Sequence, residues 1–403
     1  MRPYSDAEVP AVIARLRRNV ELRDGIASFL FPRLYRASAG ATRWLTAGLL
    51  WYRARELNTV HDVQMMVRRF IDHMVQASVD GLSWNGLQQL NPDTPYLFIS
   101  NHRDIALDSA FLNRVLHEEG FPTCQIAVGD NLFGTPHADD LMRLNRGFLV
   151  ERSAGGPKAA YGALRRTSGY VRGSLEAGTS VWIAQREGRA KDGFDRTDPA
   201  LLKMLALAWR SAAHKSEPER LAQLVQGVQL VPVAISYELD PCDLRKAEEL
   251  WQTAAQGSFN KAQGADLASI VEGVRGYKGR VHLSFSQPIS GDFESAEELA
   301  RAMDEAIVGG LQVYPPNLSA LQSLRERGEE AGEQAAEFGE RFDSAELSVQ
   351  PTATQASDAL RFFEARVAST TAAERPYLLL QYANLLRNRA ELGLAGDAQI
   401  SSR

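Results

Sequence analysis

The chain has 403 residues, 44% hydrophobic and 24% charged, with a formal net charge of -5. These are values of a globular protein, and they argue against a general nucleic-acid binder, which needs a basic excess. Cys124 and Cys242 stand far apart with no Cys-x-x-Cys, which excludes a disulfide framework and a thiolate zinc site and fits a reducing compartment.

The opening MRPYSDAEVP holds Asp6, Glu8 and two prolines, and no apolar signal region follows it. No window of about 20 apolar residues occurs, so no segment is expected to span a bilayer, and a cytoplasmic protein is expected. Residues 1–80 read as a helical N-terminal segment. Within it, 7–22 and 59–76 have helical spacing, the second through Val60, Val63, Met66, Val67, Phe70 and Met74. Gly25 and Pro32 punctuate the stretch between them. Residues 26–55 contain five arginines (33, 36, 43, 53 and 55) and no acid, interleaved with large side chains such as Phe31, Leu34, Trp44, Trp51 and Tyr52. That pattern suits a helix lying on an anionic lipid surface. It equally suits a helical subdomain that packs on the core and leaves a basic face in water.

From about residue 81 the pattern changes. Short apolar runs at 96–100, 125–128, 147–150, 180–184, 230–236 and 280–286 alternate with helical stretches such as 159–177 and 199–213. This alternation predicts an α/β domain over 81–314, with a mixed, largely parallel sheet flanked by helices. Ligands of such sheets gather at the carboxyl ends of strands. Pro232, inside the run Val231-Pro232-Val233, suggests an edge strand or a bulge. After Val313-Tyr314-Pro315-Pro316 the pattern is helical over 315–403, with an acidic stretch at 325–346, a polar break near 348–355, and helical spacing at 361–367 and 377–392. The histidines outside the 96–108 region are scattered without metal-ligand spacing, so no metal is expected.

Chemistry-bearing residues concentrate in four blocks. Asn101-His102-Arg103-Asp104-Ile105-Ala106-Leu107-Asp108 leaves the first strand of the α/β region. Histidine is the usual general base near neutral pH, and a carboxylate on its other ring nitrogen fixes its tautomer. At about 3.6 residues per turn, His102 and Asp108 would face apart in one continuous helix. They meet only if His102 lies in a turn and the helix begins after it. Asp104 is placed to cap that helix, and either Asp104 or Asp108 can stand behind His102. In the second block Arg152 leaves the strand at 147–150 for the loop Ser153-Ala-Gly-Gly-Pro157, and an arginine fork binds phosphate in two-pronged fashion. The third block sets Arg186, Glu187, Gly188, Arg189 and Lys191 just past a strand, a composition that suits an anion cradle. The fourth is Val231-Pro232-Val233-Ala234-Ile235-Ser236. No Gly-x-Ser-x-Gly nucleophile elbow is present, and Cys124, in an apolar run, reads as structural.

In order and spacing these blocks resemble the glycerolipid acyltransferase family, the glycerol-3-phosphate and lysophosphatidic acid acyltransferases. The family's blocks run Asn-His-(four residues)-Asp, Gly-x-x-Phe-x-x-Arg, Glu-Gly-Thr-Arg and Val-Pro-Val/Ile. The resemblance covers about residues 81–290, closing on the run 279–289. Two spacings differ: five residues separate His102 from Asp108, and Arg189 directly follows Gly188.

The resemblance implies a glycerol-3-phosphate acyltransferase-like fold. It implies transfer of a fatty acyl group from acyl-CoA or acyl-carrier protein to a glycerophosphate hydroxyl in phospholipid synthesis, with no other cofactor. The first acceptor is 1-acyl-glycerol-3-phosphate, with glycerol-3-phosphate or another lysolipid as alternatives. His102 would be the base, backed by Asp108 or Asp104. Asn101, Arg103, Arg152, Arg186, Glu187, Gly188, Arg189 and Lys191 would meet the substrate, and the acceptor oxygen would attack the thioester without an acyl-enzyme. The protein would sit peripherally on the inner face of the cytoplasmic membrane, with anionic lipid as partner. A thioester or ester hydrolase and a non-catalytic lipid-binding relative remain open alternatives.

Overall fold

The computed structural model describes residues 2–132, 135–151, 155–210, 216–262, 264–327 and 358–394. Arg152, most of the expected acidic helix (328–346), the polar break 348–355 and residues 211–213 lie outside the described residues.

Five helices come first: α1 (Val9–Arg18), α2 (Val20–Leu30), α3 (Pro32–Ala37), α4 (Ala39–Ala54) and α5 (Val60–Ser78). Strands and helices then alternate: β1 (Gly81–Asn85), β2 (Tyr96–Ser100), α6 (Leu107–Glu118), β3 (Gln125–Gly129), α7 (Pro136–Leu144), β4 (Gly147–Val150), α8 (Pro157–Glu176) and β5 (Val181–Ala184). Next come α9 (Pro199–Ala206), α10 (Glu217–Gly227), β6 (Gln229–Tyr237), α11 (Asp243–Gln256), α12 (Ala265–Arg275), β7 (Arg280–Phe285) and α13 (Ala296–Gly310). The described chain ends with α14 (Pro315–Arg327), α15 (Asp358–Ser369) and α16 (Arg375–Glu391).

The chain divides into two compact units, Met1–Asp72 with Cys124–Thr167, and His73–Thr123 with Ser168–Arg403. The expected segments 1–80, 81–314 and 315–403 follow chain order, whereas this division does not. In the first unit α1 buries Val9, Val12, Ile13 and Leu16, the spacing that puts apolar residues on one helical stripe. They pack with Leu57, Val63 and Leu144, the last at the end of α7. A polar clamp rims this core: Arg15 donates twice to Asp140, at 2.7 and 2.6 Å, and Tyr4 Oη donates to the same carboxylate at 2.7 Å. β3 and β4 pair in parallel.

Helix α4 is built the other way round from an ordinary core helix. Its buried residues are Thr42 and Thr46, while Trp44 is 77% exposed, Trp51 56% and Tyr52 55%. Residues 44 and 51 lie two turns apart on one side, roughly opposite both threonines.

In the second unit the strands run in the order β1-β7-β6-β2-β5. All neighbours are parallel except β6 and β7, so the sheet is mixed and largely parallel, with helices around it. β2 is buried along its whole length, as an inner strand of a covered parallel sheet must be. The edge strand β1 has alternating exposure and no apolar run, so the sequence did not announce it. Of the edge strand or bulge that Pro232 suggests, the edge is corrected: β6 is an inner strand between β2 and β7. The proline is tolerated because it falls where the β6–β7 ladder ends. Its carbonyl accepts from Ser286 N at 3.0 Å, and only the reciprocal bond, past the end of β7, is lost. Helix α16 packs on α11, α13 and α14, so the C-terminal helices belong to the body of this unit.

Candidate active site

The first block forms the turn between β2 and α6. Asn101 is fully buried, and its amide replaces a rung of the sheet: Nδ2 donates to Ile235 O at 3.0 Å and Oδ1 accepts from Ile235 N at 2.8 Å. This pins the carboxyl end of β2 to β6. Asp104 Oδ1 accepts from Ala106 N and Leu107 N, both at 2.9 Å, and so caps the orphan amides at the start of α6. Burial, and then the nearby Asp108, raise the Asp104 carboxyl above its ordinary range.

Because α6 begins only at Leu107, the turn folds Asp108 back toward His102. His102 Nδ1 and Asp108 Oδ2 are 2.8 Å apart. The same oxygen accepts from Arg103 N at 2.7 Å and Asp104 N at 3.0 Å, and Oδ1 accepts from Tyr237 Oη at 2.8 Å. An ionised carboxylate only accepts, so His102 donates its Nδ1 proton and neutral imidazole presents Nε2 as its basic nitrogen. Asp108 is wholly buried while the His102 side chain keeps 16% exposure, so the pair is anchored inside and open at the ring. The ring lies edge-on to Trp182, centroids 6.0 Å apart, and Trp182 Nε1 donates to Ser100 Oγ at 3.0 Å.

The third block is laced to this turn. Gln185 N donates to Ser100 O at 2.8 Å and Ala190 N to His102 O at 2.9 Å. Gly188, exposed and at φ 73°, takes the left-handed bend between them. Glu187 is exposed and Arg186 and Arg189 half-buried. Arg189 Nη2 reaches Ser269 Oγ at 3.5 Å, and its buried Nη1 has no hydrogen-bond partner among the described residues. Lys191 is ion-paired with Glu249.

Behind the turn lies a buried charge network. Arg103 Nη2 donates to Asp195 Oδ2 at 2.5 Å. Lys246, 1% exposed, donates to Arg103 O at 2.7 Å and to Asp240. Burial pushes the Asp240 carboxyl up, but the Lys246 ammonium outweighs it and holds the pKa below the ordinary value.

The fold thus brings Asn101, His102, Arg103, Asp104 and Asp108 together with Arg186, Glu187, Gly188, Arg189 and Lys191. Asn101, Arg103 and Lys191 already spend their polar groups on protein partners. Arg152 lies outside the described residues. Sequence reasoning missed Tyr237, Asp195, Asp240 and Lys246. The one available signal was that Tyr237 directly follows the fourth block. Among the described residues no group of three or more His, Cys, Asp or Glu side chains could hold a metal ion.

Comparison with known proteins adds three findings. Residues 82–236 match the family model described as Acyltransferase. Comparison with curated proteins gives no match. Among solved structures, the chain is similar to the crystal structure of the 1-acyl-sn-glycerophosphate (LPA) acyltransferase, PlsC, from Thermotoga maritima. That match has 15% identity and a TM-score of 0.38, and covers 72% of this chain and 95% of that one.

Proposed function

We propose that residues 82–236, which match the family model described as Acyltransferase, make this chain an enzyme that acylates a phosphate-bearing glycerol acceptor in phospholipid synthesis. The donor is acyl-CoA or acyl-carrier protein. The acceptor is 1-acyl-glycerol-3-phosphate first, with glycerol-3-phosphate or another lysolipid as alternatives. The observation that carries this reading is the His102–Asp108 pair, joined at 2.8 Å with Asp108 fixed by three further donors.

The chemistry follows from that geometry. A glycerol hydroxyl is a poor nucleophile until its proton leaves. His102 Nε2 takes that proton as the oxygen attacks the thioester carbonyl carbon, and Asp108 stabilises the imidazolium that forms. The tetrahedral intermediate then collapses. The C–S bond breaks, and the departing thiolate receives the proton back from His102. An ester and a free thiol result, with no acyl-enzyme. Arg186 and Arg189 supply the positive charge that holds the acceptor's phosphate, with Arg152 as a further candidate, and this fixes the hydroxyl near the base. Asn101, Arg103 and Lys191 serve the frame.

The reading extends to the membrane. The exposed Trp44, Trp51 and Tyr52 of α4, flanked by the exposed Arg33, Arg36, Arg53 and Arg55, suit insertion at an anionic headgroup layer. No helix among the described residues is long and apolar enough to cross a membrane. On this reading the protein lies peripherally on the cytoplasmic face, where a lysolipid acceptor is found.

The test is acyl transfer by purified protein on anionic liposomes. Labelled palmitoyl-CoA or palmitoyl-carrier protein is offered with lysophosphatidic acid, glycerol-3-phosphate or no acceptor. Product is expected only with a phosphate-bearing acceptor, and His102→Ala should lower the rate by about 10²- to 10⁴-fold. Free fatty acid formed without regard to acceptor would replace this reading with a hydrolase.

A further inference from the structure

Helix α16 lies against the loop that follows β5, and its buried amide side chains bond to that loop's backbone. Asn384 Nδ2 donates to Asp192 O at 2.8 Å, and Asn388 Nδ2 donates to Asp195 O at 2.6 Å. The two residues are 6% and 3% exposed, and their spacing of four puts both on one side of the helix. The backbones also touch. Gly193 has φ 75°, and a Cβ there would lie 1.9 Å from Gln381 O, so no side chain fits between loop and helix.

The opposite side of the loop is held by the His102 turn. Arg103 Nη2 donates to Asp195 Oδ2 at 2.5 Å and to Gly193 O at 3.4 Å, and Ala190 N donates to His102 O at 2.9 Å. A cavity of about 40 Å³ marks the same junction, lined by Arg103, Tyr237 and Asp240 together with Gln381, Tyr382 and Leu385 of α16. Backbone carbonyls of an ordinary surface loop are satisfied by water. Here two of them are satisfied by one helix, so the helix dictates the path of the loop.

We propose that Asn384 and Asn388 are positioning residues: they fix residues 192–195, and thereby hold Arg186 and Arg189 at a set distance from His102. This rests on the reading that Arg186 and Arg189 take the acceptor's phosphate. Without the two amides the loop gains freedom, and binding the phosphate must then also order the arginines. Acceptor affinity falls, and because the proposal assigns these arginines to the acceptor alone, donor affinity does not.

The experiment compares Asn384→Leu, Asn388→Leu, Arg186→Ala and Arg189→Ala in the full chain. It measures kcat, KM for glycerol-3-phosphate and lysophosphatidic acid, KM for acyl-CoA, and amide hydrogen exchange over residues 190–197. Asn384 Oδ1 is buried with no hydrogen-bond partner among the described residues, so leucine there removes one bond and one unmatched acceptor together. Asn384→Leu therefore carries the test if Asn388→Leu fails to fold. The expected result is a rise of about fivefold in acceptor KM, with donor KM within twofold and faster exchange over 190–197. Unchanged acceptor KM and unchanged exchange would overturn the proposal, as would an equal loss of kcat with both KM values unaltered. If the two arginine variants leave acceptor KM unchanged, the phosphate reading fails instead, and faster exchange in the asparagine variants still distinguishes a positioned loop from an independent one.

Discussion

Four donors converge on the Asp108 carboxylate: a ring nitrogen, two backbone amides and the Tyr237 hydroxyl. Those bonds restrain its orientation, and the imidazole inherits that restraint. Asp104, two residues past His102, makes no bond to the ring and spends Oδ1 on two amides at the start of α6. The two carboxylates should therefore respond differently to the same substitution. Asp108→Asn replaces an acceptor-only group by one whose amide can turn a donor toward His102, and should lower kcat by about 10²-fold or more. Asp104→Asn keeps an oxygen to cap the helix and removes a charge that burial disfavours, so kcat should stay within a few-fold of wild type. Steady-state kinetics on both variants, with far-UV circular dichroism to confirm the fold, checks the contrast. Equal losses would transfer part of the dyad's work to Asp104.

Helices in the second unit control loops by reaching into their backbones. Besides α16, helix α13 does this through Asp304 Oδ1, which accepts from Thr197 N at 2.6 Å. Burial raises the Asp304 carboxyl to about 6, above its unfolded value. The folded state therefore holds a proton that the unfolded chain has released over roughly pH 4 to 6, and the group's favourable contribution is lost as pH rises through 6. Asp304→Asn retains the acceptor without the charge. It should stabilise the protein above pH 6, by up to about 3 kcal/mol at the usual 1.36 kcal/mol per unit, with the gain fading toward pH 4. Urea unfolding at several pH values measures it. The same long reach explains what the sequence could and could not tell. The alternation of strands and helices, the turn before α6 and the capping role of Asp104 are local, and periodicity and spacing reveal them. Tyr237 meets Asp108 across 129 positions and Arg103 meets Asp195 across 92, and no local pattern encodes such partners. β1 was hidden because an edge strand with alternating exposure needs no apolar run. Pro232 misled because the rule against proline concerns a missing rung, and this rung falls beyond the ladder's end.

Across the whole molecule, charge and apolar surface are unevenly placed. The net charge is -5, yet residues 26–55 carry five arginines and no acid, and the large side chains of α4 face outward over buried threonines. Each basic residue near an anionic surface is worth about 1 kcal/mol, so Arg33→Glu, Arg36→Glu and Arg53→Glu combined should release the protein from phosphatidylserine-containing liposomes in flotation. Trp44→Ala with Trp51→Ala should do the same at high salt, where charge is screened. Flotation unaffected by either set would mean that α2 to α4 are no docking surface. The first unit has another consequence, one of timing. Its core joins α1 to Leu144, with His73–Thr123, part of the other unit, synthesised in between. At about 5–20 residues per second, a ribosome that has finished Asp72 needs roughly 4 to 15 seconds more to deliver Leu144. Throughout that interval Val9, Val12, Ile13 and Leu16 have no Leu144 to pack against, and the nascent helix is most open to chaperones or lipid while the chain is still being made.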